Sequence, residues 1–247
     1  MEYILLSLIY ATASLTQGII GFGFGVFSLP LVALIFSPGP AVGMNAVLGT
    51  VNCVYNFILL KKRVEYRKGL RIFLIGALFI PLGAYFLVSV NENIVFIALG
   101  FMMVLVTLHS IRHGKKSTVP GLYRRFEVFF PMLAGVIGGA FFSHGTVLAP
   151  YMFAREKDPY IARANLQYVF SLMSLVIIPS HIVAGNLTME RFLIALPFIP
   201  LVFLFTKLGS LFSFRIKKEL FRTVVNAALL MLGLYILGKN LYALIAG

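Results

Sequence analysis

Charge is scarce in this chain. Of its 247 residues, 12 % are charged and 60 % are hydrophobic, and the mean hydropathy is +0.96. Soluble domains carry about 25 % charged residues. Apolar runs of about 20 residues recur along the sequence, and each is long enough to cross a hydrocarbon core of about 30 Å. The shortage of charge therefore excludes an ordinary soluble domain and predicts an all-α, polytopic membrane protein.

Acidic residues are the rarer charged class, and each of the eight lies at the end of an apolar segment or in a loop. Acids inside membrane segments usually mark cation or proton pathways. Their absence there argues against a cation pump, a sodium site or a carboxylate proton relay, and the resulting neutral to positive interior suits an anionic solute. The eight are Glu2, Glu65, Glu92, Glu127, Glu156, Asp158, Glu190 and Glu219.

Cysteine is almost missing as well, because Cys53 is the single one. An intrachain disulfide is therefore excluded. The sequence also has no nucleophile–base triad, no metal-ligand cluster and no ATPase motif, and no G-K-S/T follows its glycine strings. These absences predict a protein that is not an enzyme and that needs no metal or cofactor.

Basic residues, in contrast, are plentiful and give a net charge of +13. They are concentrated in three clusters between apolar segments, from Lys61 to Arg71, Arg112 to Arg125 and Arg215 to Arg222. This location is typical of cytoplasmic loops in membrane proteins and argues against nucleic-acid binding. With the clusters inside, the short loops that begin at Ser89 and Ala184 lie outside, and so do both termini.

Two glycine-rich stretches lie in strongly apolar sequence, from Gln17 to Pro30 and from Ala134 to Pro150. Glycine costs roughly 1 kcal/mol against alanine within a helix. Irregular backbone at membrane depth is tolerated where it is buried in protein or lines a wet cavity, and a helix that restarts there directs free N–H groups toward anions. We interpret both stretches as broken or re-entrant segments. Tight helix packing through small residues is the alternative.

The two halves of the chain look alike. Gly18 and Gly21 correspond to Gly135 and Gly138, and Asn45 falls 120 positions before Asn165. Duplicated transporters often bind their substrate between the halves. We predict two homologous four-segment repeats, residues 1–112 and 126–247, joined by a basic cytoplasmic linker at 113–125. The distribution of charge favours inverted repeats, which requires each glycine-rich segment to return to its starting side. Full crossing is the open alternative.

Polar residues and glycines of both stretches, with amides from the segments that follow, form the predicted binding site. Amides donate hydrogen bonds to oxyanions without the cost of burying a charge. Their alternative role is interhelical hydrogen bonding, worth about 0.6 kcal/mol on average. The candidates are Gly21, Phe22, Gly23, Gly25, Asn45, Gly138, Gly139, Ser143, His144, Gly145, Thr146, Asn165 and Gln167.

Among these candidates His144 alone titrates near neutral pH, so it is the candidate for proton coupling. The alternative is a neutral histidine that is hydrogen-bonded to backbone exposed by the break. Lys207 also lies within an apolar run. Its amino group either reaches an interface or supplies positive charge near a pathway.

The order of these motifs resembles the TauE/SafE family of sulfite exporters. The resemblance rests on G-I-I-G-F-G-F-G-V-F-S-L-P and G-V-I-G-G-A-F-F-S-H-G-T-V-L-A-P-Y, each followed by an Asn-bearing segment, and on the later P-L-G-A-Y and K-L-G-S-L-F. It implies a multi-pass carrier of a prokaryotic-type inner membrane that exports sulfite, sulfoacetate or related organic anions. Ser143 and His144 depart from the commoner glycine-rich form of the second motif.

The function predicted from the sequence is thus secondary transport of small anions through a central site between the repeats. An uncoupled anion channel or facilitator is one alternative, and a membrane assembly subunit without transport is another. The expected partners are a small anionic solute, the lipid bilayer and protons. The sequence leaves the oligomeric state open, with a homodimer among the possibilities.

Overall fold

A computed structural model describes residues 2–112, 126–156, 158–213 and 218–246. This part of the chain forms twelve α-helices and two short 3-10 turns, with no strand among the described residues. The helices are α1 (Glu2–Ile20), α2 (Phe24–Ala33), α3 (Pro38–Leu60), α4 (Tyr66–Ala77), α5 (Ile80–Ser89), α6 (Glu92–Arg112), α7 (Phe129–Phe141), α8 (Gly145–Arg155), α9 (Pro159–Val183), α10 (Met189–Ala195), α11 (Ile199–Phe212) and α12 (Lys218–Ala246). The predicted linker at 113–125 lies outside the described residues, as do Arg215 and Lys217.

Within the described residues, seven helical segments are long and apolar enough to cross a membrane. The predicted all-α, polytopic class is therefore confirmed. The fifth of the eight predicted apolar segments contains no such long helix and consists of the two short helices α7 and α8. The seven are Glu2–Ile20, Pro38–Arg63, Tyr66–Ser89, Glu92–Arg112, Pro159–Val183, Met189–Phe212 and Val225–Ile245.

Prolines and one acidic cap set several helix starts. Pro159 begins α9 at a position where its missing N–H would make no helical bond. Just before it, the Asp158 side chain accepts a hydrogen bond from the backbone N–H of Tyr160 at 2.8 Å. Proline also opens the second half of two kinked spans, with Pro81 starting α5 and Pro197 in the turn before α11. Proline cannot continue a helical hydrogen-bond ladder, so it interrupts these two spans.

Helices from the first and second halves pack against each other. The main pairs are α6 with α12, α3 with α9, α1 with α11, and α7 with α4 and α5. Small residues permit the close approaches: a Cβ added at Gly18 would lie 2.9 Å from Gly209 Cα, and one added at Gly135 would collide with the Gly76 carbonyl. Such contacts are typical of membrane helix interfaces, where backbones pack directly.

One end of the molecule, which we call the basic end, joins the starts of α4, α7 and α9 to the ends of α3 and α8. Arg155 at the end of α8 pairs with Glu127, just before α7, at 3.1 Å. Lys68 pairs with Glu65 at 2.7 Å and with Glu156 at 3.3 Å. The hydrogen bond from Lys68 lowers the pKa of the Glu65 carboxyl. Because Glu127 and Arg155 meet, α7 and α8 form a hairpin that begins and ends at the basic end.

The opposite end holds the starts of α1 and α3. The ring of Tyr3 stacks on Phe198 with centroids 6.1 Å apart. A Cβ added at Gly43 would collide with the carbonyl of Asn186, in the loop that follows α9. Helices α1 and α2 therefore form another hairpin, which begins and ends at this opposite end. In chain order, α1–α2 is the first hairpin and α7–α8 is the second.

Candidate functional site

The first hairpin turns at glycine. Helix α1 ends at Ile20, and α2 begins at Phe24. Between them Gly21 and Gly23 have φ of +96° and +111°. Side chains rarely adopt this backbone conformation, and glycine adopts it without strain. The predicted break at the first glycine stretch is therefore present, and Gly21 and Gly23 form it.

The second hairpin turns within the second glycine-rich stretch, but not at a glycine. Gly135, Gly138 and Gly139 lie within the regular helix α7, and the turn follows at Phe142, whose φ is +49°. The glycines do not make this break because they are contact residues. A Cβ at Gly139 would collide with the Ile80 carbonyl, while one at Gly138 would lie 3.0 Å from the Cβ of His144. For these three glycines the packing alternative is correct.

The two turns meet in the protein interior and enclose a small cavity. A Cβ at Gly25 would lie 2.8 Å from the carbonyl carbon of Phe142, and one at Gly145 would lie 3.2 Å from Phe22 Cβ. The cavity has room for about one water molecule. It is lined by Gln17, Gly23, Phe24, Gly25, Val26, Cys53, Phe142, Ser143, His144, Gly145 and Phe170.

The starts of two helices face this cavity, α2 at Phe24 and α8 at Gly145. Within the described residues, the backbone N–H groups of Gly25, Val26 and Gly145 make no hydrogen bond. Free N–H groups at a helix start, together with the positive end of the helix dipole, favour an anion. The described cavity wall thus combines two helix starts and contains no arginine or lysine.

Gln17 connects the first turn to its surroundings. Its Oε1 accepts a hydrogen bond from the Phe24 N–H at 3.1 Å, while its Nε2 donates to Gln167 Oε1 and to Cys53 Sγ, each at 3.2 Å. Gln167 in turn donates to the carbonyl of Gly21. These bonds fix the end of α1 and the start of α2 against α3 and α9, so Gln167 holds the turn and does not line the cavity.

His144 is 2 % exposed and lines the cavity. Its ring lies edge-on to Phe170 and Phe142, with centroid distances of 4.4 Å and 5.2 Å. Its Nδ1 has no hydrogen-bond partner among the described residues. A buried polar atom without a partner is costly, so His144 has an unused hydrogen-bonding position inside the cavity.

The two hydroxyl candidates of the second hairpin donate to its own backbone. Ser143 Oγ donates to the Phe141 carbonyl at 2.9 Å, and Thr146 Oγ1 donates to the Ser143 carbonyl at 2.8 Å. Both bonds support the turn between α7 and α8. Ser143 also lines the cavity, whereas Thr146 does not.

The matched amides Asn45 and Asn165 lie away from the cavity and in unlike surroundings. Asn165 Oδ1 accepts a hydrogen bond from the Glu65 N–H at 2.7 Å and so ties α9 to the start of α4. Asn45 is fully buried in α3, and neither Nδ2 nor Oδ1 has a partner within the described part of the chain. Neither amide contributes to the cavity wall in this conformation.

Several residues of the site were not among the candidates from sequence. Phe142 makes the second turn, and Cys53 and Phe170 complete the cavity wall. Arg163 was not singled out from the sequence, yet it is 7 % exposed in α9 and its Nη2 donates to the Gly18 carbonyl. One signal in the sequence points to it: with Gln167 it forms an i, i+4 pair on one face of α9.

Broken helices that meet inside a multi-pass membrane protein are typical of secondary transporters. The comparisons with known proteins agree. The model of the family described as "Sulfite exporter TauE/SafE" matches residues 6–236. The chain is also 20 % identical over 276 residues to "Probable membrane transporter protein YunE" of Bacillus subtilis (strain 168), across 98 % of this chain and 100 % of that protein.

The match to the family extends over nearly the whole sequence, so the chain belongs to the sulfite exporter TauE/SafE family. It is an integral, multi-pass membrane transporter. No solved structure matches the chain significantly.

Proposed function

We propose that this transporter exports small oxyanions, such as sulfite, sulfoacetate or related organosulfonates, through the cavity between its two hairpins. The observation that carries the proposal is the convergence of the starts of α2 and α8 on a buried cavity that contains an unpartnered His144 nitrogen. No carboxylate lines that cavity. An anion placed there meets two positive helix ends and no like charge.

The anion would be held mainly by backbone. The N–H groups of Gly25, Val26 and Gly145 are free donors, and His144 Nδ1 adds a donor when it carries a proton. Hydrogen bonds to an ionised acceptor are roughly twice as strong as bonds between neutral groups. In this proposal Gly21, Phe22, Gly23 and Gly25 shape the first turn, and Gly138, Gly139, Ser143, Gly145 and Thr146 shape the second.

The same proposal divides the chain into inverted repeats, residues 1–112 and 126–247. One hairpin enters from each end of the molecule, and the pairs α3 with α9 and α6 with α12 join equivalent helices. Asn45 and Asn165 then occupy equivalent places in α3 and α9, where we propose that they are hydrogen-bonding positions used as the repeats move. Rocking of two such repeats alternates access to a fixed site.

The closed cavity favours a carrier over an open channel. Room for about one water molecule is too little for an oxyanion. The contacts of Gly25 with Phe142 and of Phe22 with Gly145 must therefore loosen before substrate enters. The excess of basic side chains at the basic end places it in the cytoplasm, so export runs from the basic end to the opposite end.

The single cysteine tests this pathway. Protein in proteoliposomes should show saturable flux of labelled sulfite that empty liposomes lack. Cys53 lines the cavity and is 1 % exposed, so N-ethylmaleimide should reach it as the cavity opens. After removal of excess reagent, we expect flux to be lost in the natural protein and kept in Cys53→Ala.

Two outcomes would contradict the proposal. The first is the absence of saturable flux for sulfite, sulfoacetate and methanesulfonate alike. The second is unchanged flux after mass spectrometry shows complete modification of Cys53, because a bulky adduct in the cavity wall would then leave the pathway free. Protection of Cys53 by sulfoacetate, measured as slower modification, would support the site directly.

A further inference from the structure

Arg163 is a buried arginine without a carboxylate partner in the part of the chain that the structure describes. Its side chain lies in α9, and the residue is 7 % exposed. Four basic side chains at the basic end of the described chain instead form ion pairs with acids. They are Arg63 with Asp158, Lys68 with Glu65 and Glu156, and Arg71 and Arg155 with Glu127. Burying a charge costs several kcal/mol unless it is compensated, so the position of Arg163 calls for an explanation.

The side chain lies against the first turn. Arg163 Nη2 donates to the carbonyl of Gly18, and a Cβ added at Gly21 would lie 2.9 Å from Arg163 Cγ. The guanidinium Nε has no acceptor within the described residues. Arg163 precedes Gln167 by one helical turn, on the side toward the basic end. It therefore lies between the basic end and the turn that shapes the cavity.

The first half has no cation at the position equivalent to Arg163. The register that aligns Asn45 with Asn165 places Gly43 where the second half has Arg163. A side chain at Gly43 has no room, because a Cβ there would lie 2.9 Å from the carbonyl carbon of Asn186. The positive charge next to the hairpin turns is thus present on one approach to the cavity and replaced by backbone packing on the other.

We infer that Arg163 is the residue that captures the oxyanion as it approaches the cavity from the basic end. This inference rests on the proposed function and adds the binding group that loads the site. The planar guanidinium offers a fork of donors that fits two oxygens of a sulfite, sulfonate or similar group. The incoming anion supplies the acceptor that Nε lacks and replaces the Gly18 carbonyl as the partner of Nη2.

This exchange also links capture to the turn. While Arg163 donates to Gly18, it holds the last turn of α1 next to the break at Gly21. When the anion takes over that hydrogen bond, α1 loses the contact. Capture from the basic end thereby loosens the first hairpin where it must separate from the second. Because the equivalent position in the first half is Gly43, this capture step belongs to the basic-end side alone.

A purely structural role makes a different prediction. Basic side chains near a helix end often hydrogen-bond its last carbonyls and stabilise the helix. If Arg163 did no more, its replacement would lower the melting temperature of the protein without anion and leave the concentration of anion at half-maximal flux unchanged. Capture instead predicts a change in that concentration, measured from the basic-end side.

The test compares Arg163→Gln and Arg163→Lys in full-length protein, reconstituted with the basic end facing the outer solution. For Arg163→Gln we expect the sulfite concentration at half-maximal flux to rise about tenfold or more, since hydrogen bonds to charged groups contribute about 1.5–3 kcal/mol. Arg163→Lys keeps the charge and loses the fork, so we expect a smaller rise with a similar maximal rate.

Arg191→Gln is the matched control. Arg191 also donates to backbone carbonyls, of Gly185 at 2.8 Å and Asn186 at 3.1 Å, but at the opposite end. The Arg191→Gln variant should leave unchanged the sulfite concentration at half-maximal flux, measured from the basic-end side. If the sulfite concentration at half-maximal flux is unchanged in Arg163→Gln, the inference is overturned. The proposed function is tested separately, by saturable flux in the unmutated protein. If Arg163→Gln does not assemble, an unchanged value in Arg163→Lys overturns the inference equally.

Discussion

Among the residues that line the cavity, His144 is the one histidine, the residue type whose unperturbed side chain titrates near neutral pH. The groups around it are mostly aromatic or backbone, with Phe142 and Phe170 against its ring and Gly138 beneath it. Cys53 is the other ionisable side chain in the cavity wall. A proton on His144 would therefore have no carboxylate near it and would be stabilised chiefly by a bound anion. This coupling of proton and anion is what proton-linked transport of an anion needs.

We predict that flux of methanesulfonate, whose charge is constant in this range, rises as the pH falls, because a proton on the His144 ring adds a positive charge next to the bound anion. His144→Gln should flatten this dependence while it keeps a hydrogen-bonding side chain of similar length. The measurement is initial flux between pH 5.5 and 8, about the window of histidine titration. His181→Gln, in α9 and outside the set of residues that line the cavity, is the control. An equally steep dependence in His144→Gln would exclude His144 as the coupling residue.

At the level of elements, the glycines of α7 set how closely the second hairpin packs against α5. A Cβ at Gly139 would collide with the Ile80 carbonyl, and one at Gly83 would collide with the Val136 carbonyl. These contacts support α7 along its length as far as Phe141, the residue that precedes the turn. The helix that presents the second turn is thus positioned by backbone contact with the first repeat.

Gly139→Ala should therefore destabilise the protein, although alanine is the better helix former. Overpacking of a filled interface costs about 1–3 kcal/mol, which we expect to see as a lower melting temperature in detergent. Gly238→Ala is the matched control, because this helical glycine in α12 has no atom within 4 Å of an added Cβ. Equal melting temperatures for the two variants would show that the α7–α5 contact is looser than described.

The sequence predicted the helical class and the first break because both depend on local properties. Long apolar runs define spans, and Gly21 and Gly23 occupy backbone conformations that favour glycine. The second break depends on tertiary contacts: the Phe142 ring packs where a Cβ at Gly49 would lie, and this contact offsets its left-handed backbone. No local pattern indicates that contact. Arg163 was missed for the same reason, since its burial follows from the approach of α1.

For the molecule as a whole, the arrangement predicts a membrane topology in which each hairpin returns to the side from which it entered. The first hairpin begins and ends at the opposite end, and the second begins and ends at the basic end. If either hairpin crossed the membrane fully, the segments on its two sides would be exposed to different compartments. The sidedness of a few exposed positions therefore distinguishes two re-entrant hairpins from two crossing segments.

Single cysteines introduced into a Cys53→Ser background test this topology. In intact cells a membrane-impermeant maleimide should label cysteines at Glu2, Ser37 and Asn91, which are exposed at the opposite end. It should label cysteines at Arg63 and Pro159 after permeabilisation alone, because the excess of basic side chains places that end in the cytoplasm. The decisive comparison is Glu2 with Ser37, since the first hairpin separates these two positions. Labelling of the two from different sides would mean that the first hairpin crosses the bilayer. That result would contradict the meeting of two re-entrant turns on which the proposed anion site depends.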